Sequence, residues 1–270
     1  MINQGKERII IRIGARHLSF STVDPTQAEP AVTYEPYVVK SGMSLPANLR
    51  EALGEAALQQ AGIRKVTVLA DTPVLLVPAE QFQESTMEDL FCHAIPRKEP
   101  ETIHYDMLSD LNAVAVFAIN KDLNTVLNDN FSSPKIMPLM VPVWRYLHRR
   151  SFAGNRNKLY GYAHDNKLDI FSFQQNRFKF CNQFKANRPQ DVLYFLLYVW
   201  KQLQLNAEND EMHLAGDLFN DNGQQELISE LKRYVQKVYI INPSAEFNRA
   251  PMTKVKGLPF DLMTFFMKGK

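Results

Sequence analysis

The alternation of apolar and polar positions divides the chain into two halves that predict the same order of elements. A β-branched run and an alternating run flank Gly14-Ala15-Arg16, a pattern typical of a hairpin. Pro46 suits the first turn of a helix, and Gly62 ends that helical pattern. In the first half we predict strands at 9–13, 17–23 and 32–39, a helix at 46–60, a strand at 66–70, a helix at 121–130, a strand at 135–139 and a helix at 141–150.

The second half repeats this order after the polar stretch 151–157. Asp165-Asn166 predicts a tight hairpin turn, because both residue types tolerate left-handed backbone angles. In the second half we predict strands at 158–163, 167–173 and 178–185, a helix at 189–205, a strand at 212–215, a helix at 224–234, a strand at 238–241 and a helix at 258–267.

Alignment of the halves leaves residues 72–119 of the first half without a counterpart. This surplus contains strand-like runs at 74–77, 103–108 and 114–119 and a helical run at 87–94, which predicts a small inserted α+β subdomain. We therefore expect a first lobe at 1–150 with an insertion near 72–119, a connector at 151–157 and a second lobe at 158–270. The alternative is two unrelated α/β units of similar order.

Composition and charge exclude several classes of protein. The 270 residues are 45% hydrophobic and 22% charged, which is ordinary for a globular protein and excludes disordered, collagen-like and disulfide-scaffold chains. Residues 1–154 hold 15 basic and 17 acidic side chains, and residues 155–270 hold 16 and 12. That excess is too small for the basic surface of a nucleic-acid binder, so we expect no nucleic-acid partner.

The apolar runs are too short for a membrane span. The longest, Val192–Trp200, has nine residues, whereas a spanning helix needs about 20. It is apolar all round, which favours burial over the alternative of tyrosine anchors for another chain. Because the first eight residues do not resemble a signal peptide, we expect a cytoplasmic protein. Cys92 and Cys181 are isolated and predict two buried free thiols.

Two copies of strand-strand-strand-helix-strand-helix-strand-helix resemble the actin-like ATPase superfamily. The insertion in the first half resembles the branch of the type IV pilus assembly protein M and cell-division protein A families, and the chain is also similar to an uncharacterised bacterial actin-like family. The resemblance implies an α/β fold of two ribonuclease-H-like lobes with mixed five-stranded sheets and a nucleotide cleft.

In that superfamily the first hairpin resembles D-x-G, whose aspartate holds hydrated magnesium and whose glycine lets backbone amides approach phosphate. This chain has Arg12-Ile13-Gly14, so the glycine is present and the carboxylate is replaced by a cation that would repel the metal. Arg12 could contact phosphate directly. The structural interpretation, which we favour, places Arg12 on the solvated side of a strand whose Ile11 and Ile13 face the core.

The resemblance implies two further motifs, and both are altered. The second hairpin should carry another D-x-G, but the matching residues are His164-Asp165-Asn166, where the turn explains the aspartate. The adenosine-contacting segment should end in a glycine pair, and only Gly216 stands there, followed by Asp217. Gly216 could let a base approach closely or could merely end the strand, and Asp217 could contact a ligand or lead into a helix. We favour the structural interpretation for both residues.

These changes predict an actin-like protein that is catalytically degenerate and acts as a protein-interaction or scaffold module, with no cofactor and with an unidentified protein partner. One alternative is a genuine ATP-binding or ATP-hydrolysing protein that holds ATP and magnesium through a rearranged cleft, formed by Arg12, Gly14, His164, Asp165, Gly216 and Asp217. Another is a cytoplasmic component of pilus or envelope assembly. We predict no catalytic residue and no metal site.

Other chemistries lack their motifs. The six histidines show no HExxH or HxH spacing, and neither GxSxG nor GxxxxGK[ST] occurs. A ribonuclease-H-like nuclease needs a carboxylate on the first strand, near the position of Arg12. Phe178 and Phe180 alternate with Arg177 and Lys179, and this pattern favours phenylalanines on the core side of a strand over an RNA-binding sheet.

Overall fold

The computed structural model describes residues 8–23, 32–55, 65–96, 100–218 and 221–267. Within these ranges the chain forms two five-stranded sheets and one three-stranded sheet, with helices between the strands. The predicted helix stop at Gly62, and the part of the first predicted helix beyond residue 55, lie outside the described residues.

The first five-stranded sheet is mixed. Its strand order is β3-β2-β1-β4-β8, with β1 antiparallel to β2 and parallel to β4, and β4 parallel to β8. The strands are β1 (Arg8–Ile13), β2 (His17–Val23), β3 (Val32–Val38), β4 (Lys65–Ala70) and β8 (Lys135–Pro138). The parallel strands all end at one edge of the sheet.

The second five-stranded sheet repeats this arrangement. Its order is β11-β10-β9-β12-β13, with an antiparallel hairpin followed by parallel strands. The strands are β9 (Lys158–His164), β10 (Lys167–Gln174), β11 (Arg177–Lys185), β12 (Glu211–Gly216) and β13 (Lys237–Ile240). Since neighbour order and strand direction agree in both sheets, the predicted internal repeat is confirmed.

Each sheet buries one face under a pair of helices. Alternate residues of β1, including Ile11 and Ile13, pack with α1 (Leu45–Glu55) and α3 (Lys121–Asn130). The second sheet packs in the same way under α5 (Pro189–Gln202) and α6 (Asp221–Lys232). Burial of these apolar faces holds the strands at fixed positions and so fixes the sheet edges where they end.

The insertion folds as the sequence predicts. Its three-stranded sheet has the order β5-β7-β6, formed by β5 (Val74–Pro78), β6 (Glu101–Leu108) and β7 (Ala113–Asn120), and α2 (Met87–Ala94) lies between β5 and β6 in the chain. Phe91 of α2 packs with Val114 and Val116. Residues 113–119 of β7 are buried, since its other face contributes Phe117 and Ile119 to the core of the first sheet.

The chain divides into two compact units. Unit 1 comprises residues 1–108, 114–142 and 249–270, and unit 2 comprises residues 109–113 and 143–248. The helix α4 (Met140–Ser151) begins in unit 1 and continues in unit 2, and α7 (Pro243–Glu246) ends unit 2. The last helix, α8 (Phe260–Phe266), belongs to unit 1, although its position in the sequence suggested the second lobe. An ion pair to β1, described below, accounts for this placement.

Two predictions of burial are wrong. Tyr194 and Tyr198 of α5 are 61% and 47% exposed, because the sheet and α6 cover only part of the helix surface. Cys92 is exposed on α2, and Cys181 is half-buried. Among the described residues no helix combines the length and the apolar character that crossing a membrane requires.

Candidate functional site

Gly14 and Asp71 lie side by side at the carboxyl edge of the first sheet. The backbone N–H of Asp71 donates to the carbonyl of Ile13 over 2.8 Å, and the N–H of Gly14 donates to the carbonyl of His17 over 3.0 Å. In open α/β sheets this edge is where ligands usually bind. Gly14 is therefore where the sequence predicted it.

Arg12 does not lie on the solvated side of the strand, so that interpretation is wrong. Its side chain is 5% exposed, and its Nε donates to both carboxylate oxygens of Asp261 at 3.1 Å, while Nη2 donates to Oδ2 at 3.1 Å. Asp261 is fully buried on α8. The strand pattern was interpreted correctly for Ile11 and Ile13, but the partner that buries Arg12 lies 249 residues away in the sequence.

A hydrated magnesium ion does not fit the side chains at this hairpin. It needs an anionic oxygen ligand, whereas the group at the expected position is a guanidinium, which has no acceptor atom. Asp261 accepts three hydrogen bonds from this guanidinium. The pair is thus a structural ion pair between β1 and α8.

The second sheet brings four predicted residues to its carboxyl edge. Asp165 and Asn166 have φ of 45° and 61°, which confirms the tight turn between β9 and β10. Beside it, the backbone N–H of Asp217 donates to the carbonyl of Ala163 over 2.9 Å. His164 and Gly216 complete this group, since β9 and β12 are parallel neighbours.

Gly216 is required by the backbone. Its φ is +89°, and a Cβ at this position would lie 2.1 Å from the carbonyl oxygen of Ala163 and 2.7 Å from the ring of Tyr162. Such contacts exclude every residue with a side chain unless the strand end moves. The close approach of β12 to β9 therefore accounts for this glycine.

His164 is held by a buried carboxylate that the sequence analysis missed. Its Nε2 lies 2.8 Å from Oδ2 of Asp169, which is 3% exposed and also accepts from the side-chain amide of Gln183 at 3.2 Å. With the proton on Nε2, Nδ1 faces Asp165, whose Oδ2 is 3.9 Å away. The sequence signal that could have identified this contact was Asp169 itself, because it is a single carboxylate among the apolar residues of its strand.

Asp71 is the second residue that the sequence analysis missed. It follows β4 as Asp217 follows β12, and each donates its backbone N–H to the end of the neighbouring first strand. The repeated pattern of a buried strand followed by Ala-Asp or Ala-Gly-Asp was the signal that could have identified it. Each sheet thus carries one aspartate at an equivalent edge position.

An aromatic row crosses the second sheet on the face opposite α5. Tyr160 stacks on Phe171 at 5.5 Å, and His213 lies 5.5 Å from Tyr160 and 5.1 Å from Tyr239. Burial lowers the pKa of His213, although its hydrogen bond to Glu211, at 3.0 Å, partly offsets that effect. Burial also raises the pKa of Tyr160. These residues are structural groups kept neutral by their surroundings.

Comparison with known families assigns the chain to one of them. The model of the family described as "Protein of unknown function (DUF3822)" matches residues 1–238. The chain belongs to this family. No curated protein matches the chain.

The solved structures show the fold of this DUF3822 chain. A Bacteroides thetaiotaomicron protein with actin-like ATPase fold and unknown function is 29% identical, with 92% of this chain and 98% of that one covered and a TM-score of 0.82. The PilM–PilN type IV pilus biogenesis complex contains a chain 14% identical, with 88% and 89% covered and a TM-score of 0.56. The predicted actin-like ATPase fold is therefore confirmed.

The residues at the carboxyl edge of the second sheet of the DUF3822 chain are suited to particular chemistry. A histidine oriented by a buried carboxylate is suited to accepting a proton or ligating a transition metal through its other nitrogen. Asp165 lies in the turn next to it, and Asp217 follows β12. The phosphate-binding D-x-G is absent from this hairpin. That the predicted residues of both halves form one nucleotide cleft stays a prediction.

Proposed function

We propose that this protein is an actin-like protein that does not hydrolyse ATP by the magnesium mechanism of its fold and acts as a protein-binding module. The observation that carries the proposal is the buried Arg12–Asp261 ion pair. It occupies the position where the resemblance implies a magnesium-holding carboxylate. Because the guanidinium is already directed at Asp261, it is poorly placed to bind phosphate as well.

The second hairpin supports the same proposal. His164 stands near the position of the expected aspartate, and its Nε2 is engaged by buried Asp169. Asn166 stands where a small glycine would let backbone amides approach phosphate. The chain retains the sheets of an actin-like ATPase, but residues of both hairpins contact buried carboxylates of the same chain.

Nucleotide binding and hydrolysis test the proposal directly. We expect calorimetric titration with ATP and magnesium to give no saturable heat, and phosphate release to stay at the protein-free rate. Three variants complete the test at the sheet edges, D71N, D165N and D217N, with D129N on the exposed surface of α3 as the matched control. Turnover that disappears in an edge variant and persists in D129N would refute the proposal.

A second candidate function is ATP binding through a rearranged set of residues. The observation that favours it is the equivalent placement of Asp71 and Asp217 at the carboxyl edges of the two sheets. Copurification of the protein with a nucleotide would support this candidate over a protein-binding module.

A role in pilus or envelope assembly is supported by likeness of fold to a chain of the PilM–PilN complex. Fold alone does not carry a partner from one protein to another. Pull-down followed by mass spectrometry tests this role, and recovery of envelope-assembly proteins would support it.

A further inference from the structure

The insertion is an acidic part of the chain. Residues 72–119 contain eight Asp or Glu and two Lys or Arg, a net charge of −6, while the whole chain carries +2. Between residues 72 and 96 there are four acidic side chains and no Lys or Arg. A field of one sign on so short a segment favours partners of opposite charge.

Three of these acidic residues lie together before and within the first turn of α2. Glu84 begins a short 3₁₀ turn, and Glu88 and Asp89 follow in α2; all three are exposed. The negative charge of Glu84, together with burial, raises the pKa of the Tyr105 hydroxyl, so this carboxylate lies beside β6. Phe82 packs on the same tyrosine at 5.0 Å between ring centroids.

The strand β6 lies at the edge of the three-stranded sheet and exposes apolar side chains. Tyr105 is 38% and Met107 is 47% exposed, and they follow Ile103 on the same face of the strand, where Ile103 packs against the core of the insertion. Leu90 of α2 is 43% exposed. The strand is eight residues long, whereas β5 at the opposite edge has five and ends in a proline.

These features define one surface, the β6 edge, consisting of the edge of β6 with Tyr105 and Met107 and the acidic group Glu84, Glu88 and Asp89. We propose that the β6 edge binds an extended basic segment of a partner protein, which adds to the small sheet as a fourth strand. Main-chain hydrogen bonds along β6 supply affinity in this mode of recognition, and alternate side chains supply specificity. The partner's apolar side chains pack beside Tyr105 and Met107, and its Lys or Arg side chains meet the acidic group.

The acidic group decides between possible occupants. Natural sheets often carry lysine on an exposed edge strand, and this charge prevents self-association. The strand β6 lacks this protection, since no Lys or Arg occurs in residues 101–108. A second copy presenting the same edge would bring two acidic groups together, which is unfavourable. Nucleic acid is disfavoured for the same reason.

A defined peptide tests the β6 edge on the full-length protein. The probe is a capped ten-residue peptide in which Lys and Val alternate on one strand face and Thr occupies the other face, and its control is the same peptide N-methylated at alternate residues, which keeps the charge and removes backbone donors. We expect the control peptide to bind about tenfold more weakly, measured by fluorescence anisotropy. Hydrogen exchange should slow in residues 101–108 when the unmodified peptide binds.

Matched variants separate this surface from general attraction between charges. The variant E84Q/E88Q/D89N neutralises the acidic group and should weaken peptide binding about fivefold or more, because complementary charge is lost. The variant M107K should weaken binding by a similar factor, because a positive charge replaces an apolar contact. The control E208Q/E226Q/D129N removes three exposed carboxylates elsewhere and should leave the dissociation constant within about twofold. Unchanged exchange and circular dichroism without peptide verify that each variant is folded.

Three results would overturn the proposal. These are equal binding of both peptides, equal weakening in the control variant, and protection of a strand other than β6. Dimerisation of the protein through residues 101–108 would also overturn it, since the occupant would then be a second copy. The proposal rests on the proposed protein-binding role, and the two fail separately: magnesium-dependent ATP turnover refutes the proposed function, whereas lack of peptide binding refutes only this surface.

Discussion

At the residue scale, Gly216 shows how one backbone angle fixes a sheet edge. We expect G216A to lower the free energy of unfolding by about 3 kcal/mol, because it combines an unfavourable φ with a Cβ directed at the carbonyl of Ala163. Urea denaturation measures this change.

The matched control for this variant is G154A. Gly154 has φ of +79°, and nothing lies within 4 Å of the place where its Cβ would stand. It therefore reports the backbone angle alone, with an expected loss of about 1 kcal/mol. Equal losses in the two variants would contradict the steric account of Gly216.

The aromatic row predicts a pH dependence of stability. Burial holds the pKa of His213 below its ordinary value of 6.5, so the unfolded chain takes up a proton more readily as the pH falls through that range. The free energy of unfolding should decline below pH 6.5, by at most about 1.4 kcal/mol per pH unit for this one group. H213F keeps a ring between Tyr160 and Tyr239 and should flatten the decline.

Urea denaturation at pH 7.5 and pH 5.5 measures the difference between the wild type and H213F. His104, whose pKa is also lowered by burial, is present in both proteins, so its contribution cancels. An identical slope in the two proteins would show that His213 is not the titrating group.

At the scale of elements, local patterns predicted much of the fold. The bounds of α2 agree residue for residue, because Met87 and Phe91 lie on one face of a short amphipathic helix. The turn at Asp165-Asn166 was equally predictable, since its backbone angles suit few residue types. Both signals lie within a few residues of the feature that they determine.

The exposed side of α5 was not predictable in this way. An apolar helix is expected to be buried all round, but how much of it a sheet covers depends on the width of that sheet and on its neighbours. Tyr194 and Tyr198 stack on each other at 6.0 Å on the exposed side. Their exposure follows from tertiary packing, which periodicity does not contain.

The packing of α5 on the second sheet depends on a glycine of β9. A Cβ on Gly161 would lie 2.9 Å from a methyl group of Leu214 and 3.1 Å from one of Leu196. We expect G161A to destabilise the protein by about 1 to 2 kcal/mol through overpacking. Combination with L214V, which shortens one of these side chains, should cost less than the two single changes added together, as measured by a double-mutant cycle in urea. Simple additivity would contradict the proposed contact.

At the scale of the whole molecule, the ion pair between Arg12 and Asp261 joins the first strand to the last helix within unit 1. D261N removes the carboxylate charge that faces the buried guanidinium and should lower the free energy of unfolding by about 3 to 5 kcal/mol. The double variant R12M/D261L removes both charges and should recover most of that loss. Denaturant unfolding of the wild type and the two variants measures these changes, and a double variant no more stable than D261N would contradict the prediction.

The candidate site was predictable only in part, because some of its contacts join residues that are far apart in the sequence. Gly14, His164, Asp165, Gly216 and Asp217 lie at sheet edges as expected, since strand order and turn chemistry place them there. The burial of Arg12 depends on a helix at the other end of the chain, and the role of Asp169 depends on the pairing of β10 with β9 and β11. Contacts of this kind require the fold before they can be recognised.

The 249 residues that separate Arg12 from Asp261 have a consequence for biosynthesis. During synthesis β1 emerges before most of unit 2 and α8 emerges after it, so Arg12 meets Asp261 only once residues 143–248 have been made. The five strands of the first sheet are all present by residue 138, so this sheet can form before the ion pair that buries Arg12, and that contact is a late step of folding.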